Sequence, residues 1–274
     1  MADECIHGLD AGLCDQCFPK PAPEVEVVAA SGSRTATRPR LASRATLRRT
    51  LTPRTLSSTP LDDVGEQRIY HVTHLSNLAS ILTSGRILAD ASEAWDSRPA
   101  VDISSTDARE SRRTTLVAGS DGPSVADYVP FVLSPNASIW QSIRMGVADP
   151  RLSPGIRDTA PSDFVLLVTT VKRIVDSEAD SAVTDGDAAH VLTRFGATPD
   201  AAERMLRRLR ADEDSILHAE FLVRESVPFE LVTLIGVAND KARDVVKGIL
   251  KLSPAKPKVS VYPPWFQPTD DTAV

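Results

Sequence analysis

Residues 216–223, Ile-Leu-His-Ala-Glu-Phe-Leu-Val, constrain the fold more than any other stretch of the chain. They are short, apolar and β-branched, are closed by Pro228 a few residues on, and so predict a buried strand. Glu220 does not belong in such a strand. Period-two alternation sets it on one face with Ile216, His218 and Leu222. A carboxylate on an apolar face is costly unless it is hydrogen-bonded or paired. Two readings follow: a strand-end glutamate facing solvent or an arginine, or a positioned catalytic carboxylate.

The rest of the folded region surrounds that strand. The 274 residues are 42% hydrophobic and 25% charged, ordinary for a globular chain. They suit one domain of about 200 residues with additions, or two small domains. The domain is expected over 64–269. Residues 69–72 read as a strand, after which Thr73 is placed to cap a helix with Leu75, Leu78, Ala79 and Leu82 on one face and Gly85 as its stop. This corner brings together His71, Thr73, His74 and Asn77, and the amides at such a helix start suit an anionic ligand.

Residues 86–125 are polar with little periodicity and read as a long loop containing Arg109, Arg112 and Arg113. Residues 128–133 form the next expected strand, placed at an edge or on a bulge by Pro130. The continuous apolar run 164–171 predicts a central strand covered on both faces. Residues 183–187 read as a turn and 188–195 as a helix. A further helix has Thr198 as its cap and Pro199 in its first turn. A strand over 231–237 is expected to partner the Glu220 strand, followed by a helix through Ala242, Val246 and Leu250 and a short strand at 259–262. Strands and helices mixed without regular βαβ alternation predict an α+β fold.

The first 63 residues have a different character. All three cysteines lie within the first 17 residues, too few to form a paired disulfide framework. Cys5-x-His7 and Cys14-x-x-Cys17 form two short pairs able to hold one tetrahedral Zn²⁺, which defines a candidate zinc-binding segment over 1–20. Residues 21–63 are rich in Pro, Ser, Thr and Arg and read as a disordered linker. Seven arginines (34, 38, 40, 44, 48, 49, 54) and no acidic residue lie in 31–60, which leaves about −13 for the remainder of a chain whose net charge is −6. The arginines either hold phosphates or only balance an acidic domain. No apolar run approaches the roughly 18 residues of a membrane span, and no basic-then-apolar leader is present, so a cytoplasmic location without membrane partners is expected. No P-loop or G-x-G-x-x-G occurs, which argues against a Rossmann nucleotide-binding domain.

Four ordered motifs, Tyr70-His71-Val72-Thr73-His74 with Asn77, Asp127-Tyr128-Val129-Pro130-Phe131, Thr184-Asp185-Gly186 and Ala219-Glu220-Phe221-Leu222-Val223, resemble the DarT-like enzymes over residues 67–266. The resemblance implies an ADP-ribosyltransferase-like fold, with a central split β-sheet core and surrounding helices. It implies transfer of ADP-ribose from NAD, a co-substrate, onto single-stranded DNA, commonly on thymidine. Such enzymes are toxins paired with a macrodomain antitoxin, DarG, that removes the mark. By the same resemblance His71, Thr73 and Asn77 bind NAD, Glu220 is catalytic, Arg112 or Arg113 supplies a catalytic arginine, and Asp187 and Tyr128 face the substrate. Two departures bear on the target. Asp187 stands where the family usually has His after Thr-Asp-Gly, and Ser138-Ile139-Trp140 departs from its Pro-Met-Leu-Tyr stretch.

The chemistry also fits the residues taken alone. Loss of nicotinamide leaves an oxocarbenium-like ribose, which a nearby carboxylate stabilises. The same carboxylate can accept a proton from an attacking base nitrogen, and an arginine can grip a pyrophosphate in bidentate fashion. The rival readings are a same-fold enzyme acting on RNA or protein, and a non-catalytic nucleic-acid-binding module.

Overall fold

Residues 63–117, 122–251 and 253–268 are described by the structure, a computed structural model. The candidate zinc ligands Cys5, His7, Cys14 and Cys17, and all but the last residue of the expected linker, lie outside these residues.

The run at 164–171 becomes the strand that organises the sheet. In chain order the elements are β1 (Arg68–His74), α1 (Leu78–Ser84), β2 (Arg86–Leu88), α2 (Thr106–Thr114), β3 (Tyr128–Val132), α3 (Ser138–Met145), β4 (Phe164–Thr170), α4 (Val171–Asp176), β5 (Ser181–Thr184), β6 (Phe195–Gly196), α5 (Pro199–Arg210), β7 (Glu220–Arg224), β8 (Ser226–Pro228), β9 (Leu234–Val237), α6 (Asp240–Leu250) and β10 (Lys258–Val261). Eight strands form one sheet in the order β10-β9-β4-β1-β3-β7-β5-β6, while β2 and β8 pair separately. All pairings are antiparallel except that of β10 with β9.

Alternation along β4 serves both faces. Val165 and Leu167 join a core with Ile69, Leu78, Phe131, Phe221 and Val246. Phe164, Leu166 and Val168 join a second core with Tyr70, Trp140 and Phe266. The sheet is split near its middle. β1 runs in register with β4 from Arg68–Thr170 to His74–Phe164, yet meets β3 only at Tyr70–Val132. The expectation of mixed helices and strands is met, with one large central sheet in which β1 and β3 pair only at Tyr70–Val132.

Several local expectations are corrected. β7 begins at Glu220, because residues 215–217 form a 3-10 turn. There Asp212 accepts from the Ser215 amide and hydroxyl at 3.1 and 2.7 Å, a local bonding scheme that competes with strand. Ile216 and His218 therefore do not share a strand face with Glu220. Thr73 caps no helix. β1 continues through His74, whose ring accepts from the Ser76 amide and caps a 3-10 turn leading into α1. Gly85 ends α1 as expected, at φ +69°. Residues 86–125 are not one loop, since they hold β2 and α2.

Pro130 lies in an interior strand, but its carbonyl accepts from the His71 ring of β1, so the position without an N–H faces the split where the ladder is open. Residues 188–195 form no helix; they close a turn between β5 and β6. β9 pairs with β4 and β10 rather than with the Glu220 strand, whose partners are β3 and β5.

Candidate active site

Glu220 is the first residue of β7, opposite Val132 at the end of β3. Its carboxylate is held from two sides. Arg112 donates from Nη1 to Oε1 and Oε2 at 3.2 and 3.0 Å, and from Nη2 to Oε2 at 3.0 Å. From the turn after β5, the Ala188 amide donates to Oε1 at 3.0 Å. The two charged side chains are only 18% and 12% exposed, a setting in which ion pairs are much stronger than at the surface. Burial disfavours the Arg112 charge, but Glu220, Asp187 and Asp90 outweigh it and raise its pKa above the ordinary value.

Arg112 sits in the last turn of α2. Ser105 caps that helix by accepting from the Ala108 amide at 3.1 Å, and donates to the Pro150 carbonyl at 2.6 Å. One residue further, about 100° around the helix, Arg113 instead meets Asp90 at 3.2 Å. Asp90 also accepts from Arg98 and Arg109, at 3.3 and 3.0 Å, and Arg109 pairs with Asp102 as well. These ion pairs fasten α2, which buries no residue of its own, to the segment after β2.

The expected cofactor corner is rebuilt around the split. His71 donates from Nδ1–H to the Pro130 carbonyl at 2.9 Å. Burial lowers its pKa, so the ring is neutral and its Nε2 is an acceptor. Asn77 is 5% exposed. Its amide donates to the Val101 carbonyl at 2.8 Å and accepts from the Val101 N–H at 2.9 Å, clamping the backbone that leads to α2. Thr73 is buried beside it, with Oγ1 at 3.4 Å from the Asn77 amide nitrogen.

Asp187 accepts from the Ala189 amide at 2.9 Å and lies 3.8 Å from Arg151. Arg151 is oriented by Asp149 at 2.9 and 2.7 Å, and those hydrogen bonds push the Asp149 carboxyl down to about 2.

A cleft of about 470 Å³ opens over these groups. His71, Thr73, Asn77, Arg112, Tyr128, Asp187 and Glu220 all line it, whereas Arg113 does not. The sequence reading missed Asp90, Arg151, Thr184 and the Ala188 amide. Only Thr184 carried a signal, as part of the Thr-Asp-Gly motif; the others act through partners distant in sequence or through the backbone. A neutral imidazole, a carboxylate clamped by an arginine and a cleft of this size suit a reaction that builds positive charge beside Glu220. No group of three or more His, Cys, Asp or Glu able to hold a metal occurs among the described residues.

The family model described as "ssDNA thymidine ADP-ribosyltransferase, DarT" matches residues 70–267. A "DNA ADP-ribosyl transferase" of Mycobacterium tuberculosis is 26% identical over 197 residues, covering 66% of this chain and 81% of the relative. The fold is shared with Thermus sp. 2.9 DarT in complex with ADP-ribosylated ssDNA (TM-score 0.62, 24% identity, 73% of this chain and 96% of that one). The same Thermus protein in complex with NAD+ superposes with a TM-score of 0.58 at 23% identity, covering 73% of this chain and 98% of that one. With residues 70–267 matched by one family model, the chain belongs to the DarT family of ssDNA thymidine ADP-ribosyltransferases.

Proposed function

We propose that this chain transfers ADP-ribose from NAD+ to a base of single-stranded DNA, with Glu220 as the catalytic carboxylate and Arg112, not Arg113, as its arginine partner. The observation that carries this reading is the Glu220 carboxylate, clamped by Arg112 and the Ala188 amide at the wall of the cleft. The C–N bond to nicotinamide breaks and its electron pair leaves with nicotinamide. The ribose carbon becomes oxocarbenium-like, and a base nitrogen forms the new C–N bond, losing its proton to Glu220 or to water. A fixed negative charge beside that carbon stabilises the transition state more than the ground state. Arg112 is suited to the pyrophosphate, because its fork can exchange one oxyanion for another.

His71 and Thr73 form the nicotinamide-ribose side of the cleft in this reading, and Asn77 holds the Val101 backbone around the dinucleotide. Tyr128 and Asp187 face the acceptor base. The bound NAD+ and the ADP-ribosylated ssDNA of the Thermus relative support the two substrates. Asp187 at the turn makes the choice of base the open variable.

The cellular role that follows is that of a toxin: an ADP-ribosylated base obstructs copying of its strand, and a macrodomain antitoxin would reverse the mark. Cys5, His7, Cys14 and Cys17 would hold one structural zinc apart from catalysis, and the arginines of 31–60 would recruit DNA.

The test incubates the pure protein with NAD+ and a panel of single-stranded DNA, duplex DNA and RNA. A mass gain of one ADP-ribosyl group on single-stranded DNA alone supports the reading. Modification of RNA or of the protein itself, with DNA untouched, would replace it.

A further inference from the structure

The hydroxyl of Thr184 is a buried polar group that the proposed chemistry leaves unused. Thr184 is the last residue of β5 and is wholly buried. Regular pairing of β5 with β7 ends at Val183–Phe221. The next strand amide, that of Glu220, donates to Thr184 Oγ1 at 2.9 Å instead of to a backbone carbonyl. The same hydroxyl donates its one hydrogen to the Gly186 carbonyl at 2.6 Å, with the Glu220 carbonyl a longer neighbour at 3.4 Å.

One side chain thus ties the backbone of Glu220 to the first bend of the turn. Two residues past that bend, the Ala188 amide returns to the Glu220 carboxylate at 3.0 Å. The loop of bonds is closed: hydroxyl to turn, turn amide to carboxylate, and carboxylate through its own backbone to the hydroxyl. The turn is itself stiffened. Thr193 donates to the Asp187 carbonyl at 2.6 Å, and Asp185 accepts from the Arg194 amide at 2.8 Å.

We infer that Thr184 is a positioning residue, whose hydroxyl sets the register between Glu220 and the Asp187 turn and so fixes the carboxylate against the cleft. The kinetic consequence rests on the proposed function; the geometric consequence does not. Valine at 184 would keep the β-branched shape but lose the donor and the acceptor. Serine would keep both bonds and lose only a methyl group.

The experiment therefore compares wild type with Thr184→Val and Thr184→Ser by two readouts. In ¹⁵N-labelled protein the Ala188 amide is followed through the ionisation of Glu220, identified by the loss of that transition in Glu220→Gln. Wild type and Thr184→Ser should show the coupling, and Thr184→Val should not. In NAD-dependent modification of single-stranded DNA, Thr184→Val should lower kcat about 10- to 100-fold. Its KM for NAD should stay within about twofold of wild type, since only transition-state orientation is lost. Thr184→Ser should remain within about threefold of wild type in both constants.

Either readout unchanged in Thr184→Val overturns the inference. So does a Thr184→Ser variant as impaired as Thr184→Val, which would assign the effect to packing. A valine variant that fails to fold while the serine variant folds would make the hydroxyl a folding requirement and overturn the positioning role. A wild-type protein that modifies no oligonucleotide defeats the proposed function, and the amide readout then decides this inference alone.

Discussion

Glu220 and Arg112 are 108 positions apart in sequence and meet through three contacts of 3.0–3.2 Å. Glu220→Gln keeps the shape and one acceptor but removes the negative charge. It should lower ADP-ribosyl transfer by at least about 100-fold with NAD affinity little changed, as measured by initial rates and calorimetry. Arg112→Ala should match that loss. Arg113→Ala, which removes only an exposed contact to Asp90, should cost less than about tenfold; equal losses in the two arginine variants would refute the assignment of Arg112. His71 gives a pH test. Burial lowers its pKa from 6.5, so the unfolded chain binds more protons than the folded one just below that value. Stability then rises with pH through this window and declines as pH falls below 6.5. His74, also lowered by burial, acts in the same direction. Thermal melts between pH 5 and 7.5 should therefore show a steeper acid-side loss in wild type than in His71→Asn, and parallel curves would count against a buried neutral imidazole.

At the next scale, elements differ in how openly the sequence announces them. β4, α5 and α6 are legible because burial alone dictates them: six of seven β4 residues are buried, and each helix carries one apolar stripe. α2 is not, because none of its residues is buried and its anchors are ion pairs to Asp90 and Asp102. Its only local signs are the Ser105 cap, Asp107 in the first turn and two arginines in the last. The turn after β5 misleads in the opposite way, since 188–195 has helical composition but its amides are taken by Asp187, His190 and Glu220. Glu220 itself is legible as an anomaly, and the strand-end reading of it holds in geometry: it opens β7 and faces an arginine. Two glycines test the packing of these elements. A Cβ on Gly196 would lie 2.9 Å from the Ala201 carbonyl carbon and oxygen of α5. Gly196→Ala should destabilise by about 1–3 kcal/mol and lower Tm by about 2–4 °C per kcal/mol. Gly248, exposed in α6, has nothing within 4 Å of such a Cβ. There alanine should stabilise by about 0.5–1 kcal/mol. Differential scanning calorimetry of the pair checks both signs, and a stabilised Gly196→Ala would show that α5 is free to move aside.

For the molecule as a whole, charge is divided unevenly along the chain. Seven arginines in 31–60 stand against about −13 for the rest of the chain, about −5 of it in 1–30 and about −8 in 61–274; the acidic part that follows them should repel a phosphate backbone at long range. A chain beginning at Asp62 should bind single-stranded DNA more weakly than the full chain and with a flatter salt dependence, because fewer counterions are released. Its base preference should not change, since the cleft is untouched; titrations at several salt concentrations measure all three, and equal slopes would reduce the arginines to a spacer. No helix among the described residues is long and apolar enough to cross a membrane. The proposed transfer of ADP-ribose from NAD+ onto a base of single-stranded DNA rests on the cleft and on the clamped Glu220 carboxylate. The most direct measurement follows nicotinamide release and the mass of a single-stranded oligonucleotide together, for wild type and Glu220→Gln. Wild type should release one nicotinamide per ADP-ribosyl group gained on DNA, and Glu220→Gln should yield neither product. Nicotinamide released without any gain on DNA, or a Glu220→Gln protein that modifies DNA at the wild-type rate, would contradict the proposed transfer.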